Sequence, residues 1–190
     1  MDGLSLAERN TLGALLDTQS QDEVMARIPQ FFQSETDNLV PPPRIVPEKL
    51  GVLMFNMERG VHLEEIREFL RDCPDIQPFD LILANELDDG CFRSGNKNTA
   101  RELAQAFGLN YAWGLEFIEL VDERNEKGFH GNAVFSRWPI RRAGVIRLPE
   151  QYNWYFDRQR RIGGRLAVFA EVEVGGKPLG VVSIHLENRT

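Results

Sequence analysis

Beyond Gly108 the chain loses helical spacing, and this change restricts the fold more than any other feature. Residues 110–120, 131–136, 143–148, 164–174 and 179–186 all read as strands. Val168, Ala170, Val172 and Val174 alternate with Phe169, Glu171 and Glu173, the two-residue period of a sheet with one buried face. Gly175-Gly176 suits a tight hairpin turn, because both residues tolerate positive φ. Between Leu50 and Gly108 strand and helix alternate instead. Residues 52–55 form a short apolar run, and Leu63, Ile66, Phe69 and Leu70 follow at helical spacing up to the stop at Pro74. Residues 79–86 make a second apolar strand. Thr99-Ala100-Arg101-Glu102 has the form of a capping box, opening a helix through Leu103, Ala106 and Phe107 that Gly108 closes. Two βα units followed by hairpins predict an α/β (α+β) fold: a mixed β-sheet with helices on one face.

Residues 1–47 read differently. Ser5-Leu6-Ala7-Glu8 and Ser20-Gln21-Asp22-Glu23 are both capping-box patterns. The first opens a helix with Leu12, Leu15 and Leu16 on one face, the second a helix carrying Val24, Met25, Ile28, Phe31 and Phe32. Pro41-Pro42-Pro43 then rules out helix and stiffens a linker. The expectation is an N-terminal helical extension and Pro-rich linker over 1–47, packed outside a main domain over 48–190, or else a mobile extension.

The run GVLMFNMERG (51–60) sharpens the functional question. Its apolar strand stops at Asn56, and Glu58 and Arg59 follow. Residues 79–86 likewise close on Asn85-Glu86, and the last strand closes on His185. Ligands of α/β sheets gather at the carboxyl ends of parallel strands. An amide and a carboxylate there suit a hard cation with oxygen ligands. Each residue alone also has a plain structural reading: turn former, solvated carboxylate, satisfied core histidine.

Composition narrows the field. The chain has 190 residues, 42% hydrophobic and 27% charged, which suits one domain with a real core. No stretch is apolar and long enough to span a membrane, and no secretory leader pattern opens the chain. Cys73 and Cys91 have no metal-ligand spacing, and the sparse cysteine usage points to a reducing, cytoplasmic setting. A net charge of −7 argues against a protein that holds DNA by counterion release, but not against a cation-assisted phosphoesterase.

Read in order, VLMFNMERG, FDLILANELDDG, HGNAVFSRWPI, GGRLAVFAEVEV and LGVVSIHLENRT resemble the endonuclease/exonuclease/phosphatase (DNase I-like) superfamily. The resemblance covers residues from about 50 to the end. It implies part of a four-layer α-β-β-α sandwich and a metal-dependent phosphoesterase acting on nucleic acid, inositol phosphates or phospholipid headgroups. By the resemblance, Glu86 is the principal ligand for Mg²⁺ or Mn²⁺, with Asn85 where the family usually has Gln. Asn56 organises metal and phosphate. His185 and Arg165 contact the phosphate, and Asn132 in HGNAVFSR is a further phosphate contact. Arg59 reads as a group at the rim of the site; Glu58 reads as either a rim group or a support behind the metal. Tyr152, Trp154, Tyr155 and Phe156, with Arg158, Arg160 and Arg161, read either as a surface that stacks a base or sugar or as a loop tucked under the sheet.

The family pattern continues with Gly-Asp-x-Asn and Ser-Asp-His segments, and neither occurs before Thr190. The resemblance therefore implies the N-terminal half of an active site, with little or no hydrolysis by this chain alone. The alternative is a non-catalytic remnant that binds a phosphorylated ligand or a partner. A sheet made to face another sheet would also expose an apolar face, and this leads to the expectation of a homodimer through it.

Overall fold

Strand pairing builds two sheets that stack face to face, with helices on the outer side of the larger one. The computed structural model describes residues 1–188; Arg189 and Thr190, at the end of the LENRT run, lie outside the described residues. In chain order come α1 (Leu6–Leu15), α2 (Gln21–Met25), β1 (Ser34–Asp37), β2 (Val52–Arg59), α3 (Leu63–Asp72), β3 (Leu81–Asp89) and α4 (Thr99–Phe107). Then follow β4 (Asn110–Glu119), β5 (Phe129–Ser136), β6 (Ile140–Arg147), β7 (Arg161–Gly163), β8 (Leu166–Val174) and β9 (Lys177–Ile184). The larger sheet runs β1-β4-β5-β3-β2, with β7 also paired to β4; the smaller runs β6-β8-β9. Among the described residues only β2 and β3 pair in parallel.

Residue size decides which partner each face of the large sheet takes. Tyr111, Trp113 and Leu115 of β4 and Phe135 of β5 point to the layer of α3 and α4, where Leu63, Ile66, Leu70, Leu103 and Ala104 meet them. The opposite face carries Leu81, Ala112 and Val134 against Leu166, Val168, Ala170 and Val172 of the small sheet. A Cβ at Gly114 would lie 2.8 Å from the Val145 side chain, so the second sheet sits down directly on the backbone there. The expected mixed sheet with helices on one face is the larger sheet, and the smaller sheet stacks on its other face as the expected sandwich requires. The strands' exposed large apolar side chains are Val52 and Met54 of β2, Ile146 of β6, and Val182 and Ile184 of β9.

The N-terminal region is not an outer extension. α1 and α2 both carry the predicted capping boxes. Pro29 ends the second helix early, because its ring and missing N–H cannot continue a helix, and a 3-10 turn (Pro29–Phe32) follows. Val24, Met25, Ile28 and Phe31 are buried in the main core, each contributing about 2 kcal/mol of apolar burial. Phe32, expected on the same face, is exposed. β1 then pairs with β4, Ser34 opposite Gly114, so residues 34–37 are an integral strand that helical spacing did not reveal. Gln21 binds in the same way: its side chain donates to the Arg161 carbonyl at 3.1 Å and accepts from Gly163 N–H at 2.9 Å, fixing β7.

Three local expectations change. α4 is capped by Asn98, which accepts from Arg101 N–H at 2.9 Å, not by Thr99. The Thr99 hydroxyl is drawn instead into a buried bond to the Asp88 carbonyl at 2.7 Å. β2 and β3 also run on past Asn56 and Glu86, to Arg59 and Asp89. The polar residues at those positions mark irregularities inside strands, not strand ends. The Gly175-Gly176 turn joins β8 to β9 as expected, with φ of 57° and 80°.

Candidate active site

Register breaks occur in three strands of the larger sheet: the neighbours β2 and β3, and β4 on the far side of β5. β2 slips between Asn56 and Arg59, β3 between Ala84 and Leu87, and β4 between Leu115 and Phe117. Such bulges re-aim side chains and cluster beside active sites. Here they turn out Arg59, Glu86 and Glu116. Glu86 sits at φ 59°, a left-handed conformation that a glutamate adopts only when its surroundings enforce it. Asn132 of β5 does the enforcing. It lies opposite the β3 bulge, and its Oδ1 accepts the Glu86 N–H at 3.1 Å. Next to it, Gly131 lets β4 and β5 close in: a Cβ there would lie 2.0 Å from the Gly114 carbonyl oxygen.

His185 follows β9 directly and arrives from the other sheet. Ser183 Oγ donates to the Ala84 carbonyl at 3.1 Å, and Asn85 Nδ2 donates to the Ile184 carbonyl at 3.3 Å. These two bonds lock the end of β9 over the end of β3. His185 Nε2 then lies 3.8 Å from Glu86 Oε1. Arg165 stands on the crossover between β7 and β8, with Nη1 3.0 Å from His185 Nδ1. Its Nε is held by Glu187 Oε2 at 3.2 Å, and its guanidinium rests on the rings of Trp154 and Phe117.

Beneath these groups lies Glu116, with no exposed surface. Oε1 accepts from Arg165 Nη1 at 3.2 Å. Oε2 has no hydrogen-bond partner and stands 3.5 Å from His185 Nδ1 and 3.8 Å from His130 Nε2. Burial would raise its pKa, but His185, His130 and Arg165 outweigh that and leave it lowered, an ionised carboxylate under the site. His130 is itself buried and bonds through Nδ1 to Asp88 Oδ1 at 2.8 Å. Burial acts to raise the Asp88 carboxyl as well; Arg93, gripping it with two nitrogens, and His130 hold it down at about 2.

Glu86, Arg165, His185, His130, Trp154, Arg59, Arg158 and Arg161 line one cavity of about 620 Å³. The size suits a small-molecule ligand. Of the residues expected from sequence, Glu86, Arg165 and His185 meet there, and Arg59 joins them. Asn132 is buried behind Glu86, outside the cavity lining, with its Nδ2 unpartnered. Asn56 pairs in register with Asn85, beside Glu86, but is exposed, and its Oδ1 caps a local turn by accepting Glu58 N–H at 2.9 Å. Glu58 is exposed. Trp154 and Tyr155 fold inward, Phe156 stays exposed, and the neighbouring Arg158 and Arg161 face the cavity. Glu116 and His130 escaped sequence reasoning. The available signal for Glu116 was a carboxylate in the apolar middle of NYAWGLEFIE, a strand whose ten residues are all buried.

No protein-family description matches the chain, and no curated protein does. Among solved structures, an endonuclease/exonuclease/phosphatase family protein from Leptotrichia buccalis C-1013-b is similar at 18% identity and a TM-score of 0.48, over 73% of this chain and 55% of that one. SmcL is similar at 16% identity and a TM-score of 0.42, over 73% of this chain and 48% of that one. The chain thus spans about half the length of the solved structures it matches. Likenesses this distant carry nothing about activity.

Proposed function

We propose that the cavity is a phosphate-ester site and that the chain is part of a metal-dependent phosphoesterase of the endonuclease/exonuclease/phosphatase kind, acting on a phosphodiester. The observation that carries this reading is the meeting of Glu86, Arg165 and His185, from three separate segments, over the buried carboxylate of Glu116. Phosphate chemistry demands donors aimed at oxygens that gain charge in the transition state. Arg165 offers a planar fork already anchored by Glu116 and Glu187, so little side-chain freedom is lost on binding. His185 has its Nδ1 side engaged by Arg165 and Glu116, which leaves Nε2 to face the ester. A proton carried on Nε2 would face the leaving oxygen.

The donor set fits a hard cation. Glu86 offers a half-buried carboxylate and Asn56 an amide oxygen beside it in register. Among the described residues no group of three His, Cys, Asp or Glu gathers around them. A Mg²⁺ or Mn²⁺ ion held there would therefore keep most of its ligands as water and substrate oxygens, which is Mg²⁺'s habit. When bound, it would supply Lewis-acid polarisation of the phosphoryl group.

The same sparse donor set favours a second reading, a site that binds a phosphorylated ligand without hydrolysing it. Hydrolysis of bis(4-nitrophenyl) phosphate with and without Mg²⁺ separates the two. The leading reading expects weak turnover that Mg²⁺ stimulates and Glu86→Gln abolishes. Phosphate binding with no turnover at all would leave the binding reading in its place.

A further inference from the structure

Besides the groups around His185, three guanidiniums, Arg59, Arg158 and Arg161, and one carboxylate, Asp157, line the cavity, more positive charge than a single phosphate uses. Arg161 is 4% exposed and rigidly placed, its Nε 3.0 Å from Glu119 Oε1 and its guanidinium against the rings of Trp154 and Phe117. That carboxylate is already shared, because Arg93 Nη2 takes the same Oε1 at 3.0 Å. Among the described residues Arg59 binds no carboxylate; its Nη2 donates to Gln159 Oε1 at 3.1 Å, and Arg161 donates to that same oxygen. Arg158 lines the cavity with no hydrogen bond or ion pair among the described residues. Two guanidiniums gathered on one neutral amide oxygen repel each other until an anion arrives. Burial lowers the pKa of Arg161; Glu119 opposes this, and the cationic neighbours Arg59 and Arg93 add to it.

We infer that Arg59, Arg158 and Arg161 form a second anion subsite, so that the ligand of this cavity carries a second phosphate beside the one at Arg165 and His185. This rests on the reading of Glu86, Arg165 and His185 as an ester site. Arg161 and Arg165 stand 5.0 and 5.5 Å from the Trp154 ring centroid, which makes the two subsites adjacent. The same contacts occupy the indole. Its Nε1 donates to Glu187 Oε2 at 2.7 Å, and Phe117 and Tyr152 meet its ring edge-on. Trp154 therefore braces arginines and does not stack a base. The ligand is a compact bisphosphate, not a strand of nucleic acid.

Calorimetry on the full chain tests this with propyl phosphate, propane-1,3-diol bisphosphate and the dinucleotide pTpT. The bisphosphate is expected to bind about tenfold more tightly than the monophosphate. The double variant R59Q/R158Q, with wild-type thermal unfolding, should erase that gap. Arg165→Ala should weaken both ligands. Equal wild-type affinities, or a gap that survives R59Q/R158Q, overturn the second subsite. Tighter binding of pTpT than of the bisphosphate overturns the compact ligand. Monophosphate binding indifferent to Arg165→Ala strikes the ester-site reading instead, whatever the gap does.

Discussion

Asn132 shows how one side chain can serve a site it does not touch. The β3 bulge frees the Glu86 N–H from the ladder, and the Asn132 amide oxygen accepts it. Without that acceptor, a buried donor loses its partner and Glu86 loses the reason for its left-handed backbone. Asn132→Ala should lower stability by about 2 kcal/mol in urea unfolding and reduce any Mg²⁺ effect on the site; unchanged stability would contradict the assignment. Asp88 belongs to the same scale. Its carboxyl titrates at about 2 when folded, below its ordinary 3.8. A depressed acid contributes stability that is complete above its unfolded pKa and is lost as pH falls toward the folded one. The contribution is about 2 kcal/mol, present above pH about 4 and gone near pH about 2. Unfolding midpoints measured across that range should fall in the wild type, and Asp88→Asn should flatten this part of the profile. Residues such as Asn56, Glu86 and His185 could be picked out in the sequence because each interrupts an apolar run. Glu116 and His130 could not. Inside an alternating strand a carboxylate reads as the solvent face, and only the stacking of a second sheet shows that both faces are buried.

At the scale of elements, the register breaks in β2, β3 and β4 are what the sequence concealed. Periodicity gives a strand its existence and approximate length, but a bulge adds one residue without changing the residue types around it. For this reason the runs at 52–55 and 79–86 read as strands ending on polar groups, whereas the strands continue to Arg59 and Asp89. The hairpin at Gly175-Gly176 and the helices α3 and α4 were legible, because their signals are local: turn glycines, apolar spacing, a stopping proline or glycine. β1 was not, since Ser34-Glu35-Thr36-Asp37 has no apolar alternation and is held by pairing to β4 and by Glu35, which accepts from Tyr111 Oη at 2.6 Å and Asn98 Nδ2 at 3.0 Å. Deleting residues 1–37 would strip β1, the Gln21 clamp and four core side chains worth about 2 kcal/mol each, a loss comparable to a domain's whole stability. The truncated chain should be insoluble or lack a cooperative melt by circular dichroism. A truncated chain that melts like the full one would restore the idea of an outer extension.

Across the whole molecule, the two sheets bring distant segments to one place. β2 and β3 supply Arg59 and Glu86, β4 supplies Glu116, the β7–β8 crossover supplies Arg165, and the end of β9 supplies His185. The acidic balance of the chain and the arginine-lined cavity are compatible, because local charge at a site decides ligand choice while net charge governs solubility and long-range attraction. β2 and β9 leave apolar side chains exposed at their edges, Met54 most of all at 71%. The central claim is that Glu86, Arg165 and His185 grip a phosphate together, with a cation at Glu86. Its most direct measurement is the affinity of the full chain for inorganic phosphate by calorimetry, with Mg²⁺ and with EDTA. Mg²⁺ should tighten binding about tenfold, Glu86→Gln should remove that gain, and His185→Ala or Arg165→Ala should weaken binding in both conditions. A Mg²⁺ effect untouched by Glu86→Gln, or phosphate binding indifferent to both His185 and Arg165, would contradict the account.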